Sequence, residues 1–413
     1  MFDPTSFHSA TLDTHPIGGE IKQVLAAALN AADPAACVFR ALSLRQDTLI
    51  TNGHETPLRP GQKIAVLALG KAAPAMFAAA SQVLAGRLGR ALMIPKTPPE
   101  TPPANVQIIP GGHPLPNRAS LAAGSAALAL AEELGEHDLL LCLISGGGSA
   151  LMSAPVEGLS LAQLQDLTAS LLACGASITE INCLRRRLDR VKGGGLARAA
   201  SPARVISLIL SDVVGSPLEA IASGPTVHDP TTAADALAVL ERYGLMKSAP
   251  PALLRALGQT PDNRQRGENG AAQVRNLLIG DNALAAAAAL QQADRLGFSV
   301  HDLGSAWQGE ARQVGQVLSA RLKGANLPRP FCMIAGGETT VTLRGNGKGG
   351  RNQELALAAV AELAGSPGAL LVSLATDGED GPTDAAGAVV SADTLQRGLA
   401  LGLDPQVHLD NND

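Results

Sequence analysis

The chain has 413 residues, enough for two or three domains with sizeable cores, and only 2% of them are aromatic, so those cores must be aliphatic. The net charge of −5 comes with no basic run longer than Arg185-Arg186-Arg187, which leaves no footprint for nucleic acid or for a polybasic membrane contact. Cys37, Cys142, Cys174, Cys183 and Cys332 lack CxxC or histidine-paired spacing, the N-terminus lacks a signal-peptide pattern, and no apolar run is long enough to span a bilayer, so a reduced, cytoplasmic protein is expected.

From the N-terminus, Ile21, Val24, Leu25, Ala28 and Leu29 recur at helical spacing and predict an amphipathic helix from about residue 18 to 32. The run Ile64 to Leu69 predicts a buried strand, followed by Gly70, Lys71 and an alanine-rich helix. That order puts Lys71 at the carboxyl end of a strand and beside a helix N-terminus, where open α/β sheets bind ligands and the helix dipole favours an anion. It is not a P-loop, because position 65 is not glycine and Ala72 stands where Ser or Thr is required. Strand-like runs at 91–95 and 106–110 precede Gly111-Gly112-His113-Pro114, a rigid turn that presents His113 as a candidate binding residue.

A helix from about 118 to 134 leads into Leu139–Ile144, six apolar residues that read as a strand buried on both faces. The run stops at Ser145-Gly146-Gly147-Gly148-Ser149. Without β-carbons the peptide N–H groups of such a loop can converge on a phosphate or carboxylate, and the two flanking hydroxyls add donors. Helices follow at about 160–173 and 177–190; the second carries Asn182, Arg185 and Arg187 and runs into Lys192-Gly193-Gly194-Gly195, which reads as a second anion site. A strand at 205–210 ends in Ser211-Asp212, and Ser223, Gly224, Pro225 and Thr226 form a small-residue loop. Alternating strands and helices predict a doubly wound parallel sheet for residues 1–247, with its loops gathered on one edge, and the stretch 248–273 reads as a linker.

The second domain, 274–413, restarts with a strand and a helix, then a strand at 298–303 and a helix at 308–323. A strand from Cys332 to Ala335 breaks at Gly336-Gly337-Glu338-Thr339, and residues 339–343 alternate like a half-exposed strand. The loop Gly345-Asn346-Gly347-Lys348-Gly349-Gly350 opens an amphipathic helix headed by Arg351 and Asn352, and a last strand ends among Asp377, Glu379, Asp380 and Asp384.

If both sheet edges face one cleft, Lys71, Arg185, Lys192, Lys348 and Arg351 meet Asp212, Glu338, Asp377 and Asp384. Glycine cradles, cations and carboxylates together describe a polyphosphate site with a metal ion. Phosphoryl transfer needs backbone donors for phosphate, Lys or Arg to offset oxygen charge, and carboxylates to hold Mg²⁺ or orient the nucleophile. Lys71 and Arg351 are the expected charge stabilisers. Asp212 or Asp377 would hold Mg²⁺ or accept the hydroxyl proton, with Asp384 and Glu338 as further candidates, and the residues alone do not choose. A rival reading exists, since Gly345 to Gly350 satisfies G-x-G-x-x-G between a strand and a helix. The alternating strand before it and the two cations in the loop disfavour a dinucleotide cradle.

The segments LALGKAAPAM, GGHPLPN, LISGGGSALMSAP, INCLRRRLDRVKGGGLA, SDVVGSPLEAIASGPTVHDPTT, GGETTVTLRGNGKGGRNQELAL and ATDGEDGPTDAAGAV, in this order, resemble the signatures of the class II glycerate 2-kinases. This family carries the MOFRL domain and is often labelled hydroxypyruvate reductase. The resemblance runs from about residue 18 to the end. It implies ATP-dependent phosphorylation of the 2-hydroxyl of D-glycerate in a cleft between a Rossmann-like N-terminal domain and a smaller α/β MOFRL domain, each with three α/β/α layers. By motif, Lys71 and Arg351 match the family's proposed catalytic lysine and arginine, and Ser145 to Ser149 its phosphate loop. Substrate and phosphate contacts are expected from that loop with His113, Asn182, Arg185, Lys192, Ser223, Gly224 and Thr226, and from Gly337, Glu338, Thr339, Gly347, Lys348, Gly350 and Asn352.

Two departures stand out. Arg187 and Asp189 replace the histidine and serine that the family usually carries in its INxxRxHxS segment. The family also usually continues past the Asn411-Asn412-Asp413 segment into a final strand, so either the sequence is a shortened version or the C-terminal sheet is expected to lack that strand. An NAD(P)H-dependent hydroxypyruvate reductase and a catalytically silent sensor of nucleotides or organic acids are the competing functions.

Overall fold

The computed structural model describes residues 2–259 and 273–413, and the chain divides into two compact units, Pro34–Asp281 and Met1–Asp33 with Asn282–Asp413. Half of the stretch expected to be a linker, 260–272, lies outside the described residues, and the part before it carries a helix, Pro251–Gln259.

The unit Pro34–Asp281 is built on a six-stranded parallel sheet. Across it run Val106–Ile108, Leu88–Ile94, Ile64–Leu69, Leu139–Ile144, Arg204–Leu210 and Val274–Gly280. Numbered along the chain from Ile64, the order is 3-2-1-4-5-6, that of a doubly wound sheet. The two central strands are buried at every residue, as expected where helices cover both faces. Alternate side chains serve the two faces. Leu67, Leu69, Leu140, Cys142 and Ile144 pack with the helix Arg118–Glu132, while Val66, Ala68, Leu139, Leu141 and Leu143 pack with the helix Ala73–Leu84. Burial pushes the Cys142 thiol up to about 12, so it behaves as a small apolar residue. A third cluster lies among the helices Leu161–Ala173, Ile178–Arg187, Ala233–Arg242 and Pro251–Gln259.

Three features differ from the sequence reading. The strand Val274–Gly280, expected to open the second domain, pairs with Arg204–Leu210 and completes the first sheet. The helix Gly18–Ala32 forms over the expected residues but packs on Asn282–Arg295, where Val24 joins Ala289, Ala293 and Phe298. An apolar helical stripe shows that a partner exists, not which one. A three-stranded antiparallel meander, Leu42–Arg45, Thr48–Thr51 and His54–Pro57, lies between the first helix and the strand Ile64–Leu69, where no element was expected. Its second turn is Asn52-Gly53 with φ of 48° and 82°, the positive-φ pair that a tight hairpin demands.

The other unit carries its strands as three pairs. Ser299–Asp302 with Phe331–Ile334 and Trp307–Glu310 with Gly337–Thr340 are parallel, and Leu370–Leu374 with Gly387–Ser391 is antiparallel. The helix Arg351–Leu363 supplies Ala356, Ala359, Val360 and Leu363 to its core. Among the described residues no single helix is long and apolar enough to cross a membrane.

Leu141 is fully buried in the central strand, so truncation to alanine leaves a cavity as well as lost transfer energy. Leu141→Ala is expected to cost about 2–5 kcal/mol, read from urea unfolding of the purified chain.

Candidate functional site

The order of the sheet reverses between Ile64–Leu69 and Leu139–Ile144, and the loops leaving these strands meet at that switch point. They touch closely. The Lys71 amide donates to the Gly146 carbonyl at 2.9 Å, and the Ala72 amide donates to Ser145 Oγ at 3.1 Å. Ser145 is buried, and its hydroxyl donates to the Leu69 carbonyl at 3.2 Å. It therefore ties the two loops together, a different use from the open anion donor expected of it. Gly70 has φ of 116°, and a Cβ there would stand 2.3 Å from Ser145 Oγ, so only glycine fits.

Three of the expected side chains surround the next two glycines. A Cβ on Gly146 would lie 1.8 Å from Asp212 Oδ2, which shows how closely that carboxylate rests on the loop. A Cβ on Gly147 would lie 3.3 Å from His113 Cδ2 and 3.4 Å from Lys71 Cγ. Lys71, His113 and Asp212 are all exposed. The structure thus gathers these three expected residues around one glycine loop, with Gly147 leading into the short helix Gly148–Leu151.

Ser149 continues the arrangement inward. Its hydroxyl lies 2.8 Å from Ser223 Oγ, which donates to Asn182 Oδ1 at 3.1 Å. Ala222, Ser223 and Gly224 are all left-handed, with φ of 51°, 57° and 60°, a conformation costly for the first two. The bend lets the Ser223 and Gly224 carbonyls accept from the Gly193 and Gly194 amides at 3.0 and 2.8 Å.

The triple glycine after Lys192 is therefore a packing corner: two of its donors are taken by that loop, and the Gly195 amide bonds to the Lys192 carbonyl. Lys192 is likewise committed, to Asp189 Oδ2 at 2.5 Å and to the Met152 carbonyl at 3.2 Å. Burial pulls the Lys192 ammonium down from its ordinary value, against the upward pull of Asp189. Asp189 also accepts from Ser153 Oγ and the Ala154 and Val191 amides, so the departure from the family pattern supplies a buried counter-charge. Arg187 donates to the Thr231 carbonyl, and Arg186 pairs with Asp229 at 2.7 Å. Thr226 is buried between Ser207 and Asn276, within the sheet's own hydrogen bonds.

In the other unit, Arg351 pairs with Glu338 at 2.5 Å, both about 40% exposed. The helix N-terminus behind Arg351, expected to face an anion, is occupied by Asp380. That buried carboxylate accepts from the Asn352 and Gln353 amides, both at 2.9 Å, and from both side chains. Gly350 is required there, since a Cβ would fall 2.2 Å from Asp380 Cγ. The loop amides expected to cradle phosphate are also used. Arg344 and Gly345 donate to Asn412 Oδ1, Asn346 to Asn411 Oδ1, Gly347 to the Asn411 carbonyl and Lys348 to Asp413 Oδ1. The Lys348 amide holds the Asp413 carboxyl below its ordinary value. Asn352 is held by Asp380 and Ser373, and Gly337 is pressed against the Trp307 carbonyl. Thr339 is half-buried, while Asp377 and Asp384 are exposed.

Sequence reasoning missed Asp380 and Asn412 as hubs. Asp380 stood in an acid-rich segment without a hint of its partner 28 residues away, and Asn412 gave no signal. Among the described residues no group of three or more His, Cys, Asp or Glu is placed to hold a metal ion. Asp212 and Asp377, each in its own unit, are exposed carboxylates, the oxygen type that Mg²⁺ binds.

A doubly wound sheet with a lysine, a histidine and a carboxylate around a glycine loop at its switch point defines an α/β enzyme acting on small anions. Residues 20–258 match the family described as domain of unknown function DUF4147, and residues 331–413 match the MOFRL family. The chain is 38% identical to bovine glycerate kinase over 95% of its own length and 86% of that protein, and 41% identical to the D-glycerate 2-kinase of Thermotoga maritima over 85% and 84%. A crystal structure of Thermotoga maritima glycerate kinase superposes with a TM-score of 0.83 at 37% identity, covering 95% of this chain and 91% of that one. The chain belongs to the glycerate 2-kinase family, and it is a kinase.

Glu180 closes the capping box of the helix that carries Asn182 and Arg185, and hydrogen bonds from Ser177 and Tyr243 bring its carboxyl from 4.5 down to about 2. A depressed acid contributes stability that is present above 4.5 and is lost as pH falls through about 2, so Glu180→Gln should flatten the acid limb of the stability curve in that window. Asp380→Ala orphans two amides of the helix headed by Arg351 and is expected to cost about 1–3 kcal/mol in denaturant unfolding.

Proposed function

We propose that this kinase transfers the γ-phosphoryl group of ATP to the 2-hydroxyl of D-glycerate, giving 2-phosphoglycerate and ADP. The bond from phosphorus to the ADP oxygen breaks, a bond to the glycerate oxygen forms, and the hydroxyl proton leaves. The observation that carries the reading is the placing of Lys71, His113 and Asp212 around Gly146 and Gly147, in a chain of this family. Exposed Lys71 brings positive charge to the mouth of the loop, where phosphoryl oxygens need it most. Asp212 is the first candidate to accept the hydroxyl proton. Mg²⁺, when bound with ATP, offsets phosphate charge, and Asp212 and Asp377 are the carboxylates assigned to it.

Arg351 is the second cation assigned to the transferring group. Its partner Glu338 does not withhold it, because an ion pair this exposed is worth only about 0–1 kcal/mol. The described cysteines are free thiols, which suits a reducing compartment, and we assign the protein to the cytoplasm.

The test is a coupled assay of ADP release from Mg·ATP and D-glycerate, with the phosphorylated carbon identified by ³¹P NMR. Phosphate should appear on the 2-hydroxyl. Lys71→Ala should lower kcat by about 10²–10³-fold and Arg351→Ala by about 10³-fold or more. Unchanged turnover in either variant removes that residue from the mechanism. Oxidation of NADH or NADPH by hydroxypyruvate without ATP is the outcome that replaces the kinase reading with a reductase.

A further inference from the structure

Ser149 and Ser223 share a hydrogen bond of 2.8 Å in which either hydroxyl could donate, and the surroundings decide which one does. A serine hydroxyl has one proton and two lone pairs. Ser223 is fully buried and gives its proton to Asn182 Oδ1 at 3.1 Å, so towards Ser149 it has only lone pairs left. Ser149 is therefore the donor, and its own proton points into the protein. What the half-buried Ser149 keeps for a molecule outside is an acceptor. The hydroxyl at the other end of the glycine loop is spent as well, because Ser145 donates to the Leu69 carbonyl. Neither flanking serine is left a proton for a phosphate oxygen, contrary to what the loop suggests in sequence.

Ser149 lines a pocket of about 30 Å³, room for roughly two water molecules, which matches a hydroxymethyl group and nothing larger. The other two hydroxyls of the lining are committed in the same way: Ser153 donates to Asp189 Oδ2 at 2.7 Å and Thr168 to the Leu164 carbonyl at 2.8 Å. The lining is cationic on balance. Asp189 answers Lys192, while Arg185 has no hydrogen bond and no ion pair among the described residues. That balance repels a metal ion, the other natural partner of a neutral oxygen, and favours the hydroxyl of an anionic molecule.

We propose that Ser149 is a specificity-determining residue that accepts a hydrogen bond from the non-reacting hydroxyl of the acceptor, the 3-hydroxyl when the acceptor is glycerate. The reacting hydroxyl belongs beside Lys71 and Asp212, so the hydroxymethyl end is the one left to enter the pocket. Ser223 and Asn182 are positioning residues, acting through Ser149 by holding its proton inward. The inference deepens the kinase reading and rests on it for the identity of the acceptor.

The experiment is isothermal titration of the full chain with D-glycerate, with D-lactate, which lacks only the 3-hydroxyl, and with a non-hydrolysable Mg·ATP analogue. Glycerate should bind at least about tenfold tighter than lactate, because a site built to hydrogen-bond a substrate hydroxyl rejects the analogue without it. Ser149→Ala should bring the two acids to within about twofold of each other without weakening the nucleotide analogue. Ser223→Ala, which frees the Ser149 proton, should lower the preference for glycerate by about 2–10-fold, the scale of one hydrogen bond. Absence of glycerate binding, equal affinity for the two acids, or a preference untouched by Ser149→Ala overturns the proposal. So does weaker nucleotide binding in Ser149→Ala, which marks Ser149 as a phosphate donor. Glycerate turnover with equal binding of the two acids sinks this inference and leaves the kinase reading standing; a Ser149-dependent preference for glycerate without any turnover of ATP does the reverse.

Discussion

The site depends on the contact of two strand ends. Gly70 and Gly146 bring the loops after Ile64–Leu69 and Leu139–Ile144 within hydrogen-bonding distance, and Ser145 locks them from the buried side. Neither glycine tolerates a Cβ, because the space each would need is filled by Ser145 in one case and by the Asp212 carboxylate in the other. The positions of Lys71, His113 and Asp212 are consequences of that closeness. Buried aliphatic strands hold the loops rigidly, so the exposed groups stand on a fixed frame.

The sheet was legible because buried parallel strands write themselves as unbroken apolar runs. The runs at Ile64–Leu69 and Leu139–Ile144, with glycine at the end of each, led to the right elements and to the right edge of the sheet. Pairing was less legible. The helix Gly18–Ala32 advertises an apolar stripe, but its partner begins at Asn282, and no local pattern encodes a contact across that distance. The meander is encoded locally, because Asn52-Gly53 is a hairpin signal in its own right. Glycine clusters misled where they serve packing: the Gly193 and Gly194 amides and those of the 344–348 loop look like open donors until their distant acceptors are known.

Charge placement follows one economy in the helical layer of the Pro34–Asp281 unit. A cation removed from water is acceptable when a carboxylate comes with it, and the pairs Arg186–Asp229 and Lys192–Asp189 obey that rule. Asp189 seemed in sequence to be a lost family residue; in three dimensions it is the group that makes Lys192 tolerable inside. Arg185, half-buried in the same layer, stands apart from this economy, with no carboxylate paired to it among the described residues.

The path of the chain has a temporal side. One unit is assembled from Met1–Asp33 and Asn282–Asp413, so the other interrupts it like a clause within a sentence. A ribosome that has made the helix Gly18–Ala32 must add roughly 250 further residues before Asn282–Arg295 appears. At 5–20 residues per second that is on the order of ten to fifty seconds. Until then the nascent helix waits with Val24 uncovered, and the inserted unit is completed before that helix meets its partner.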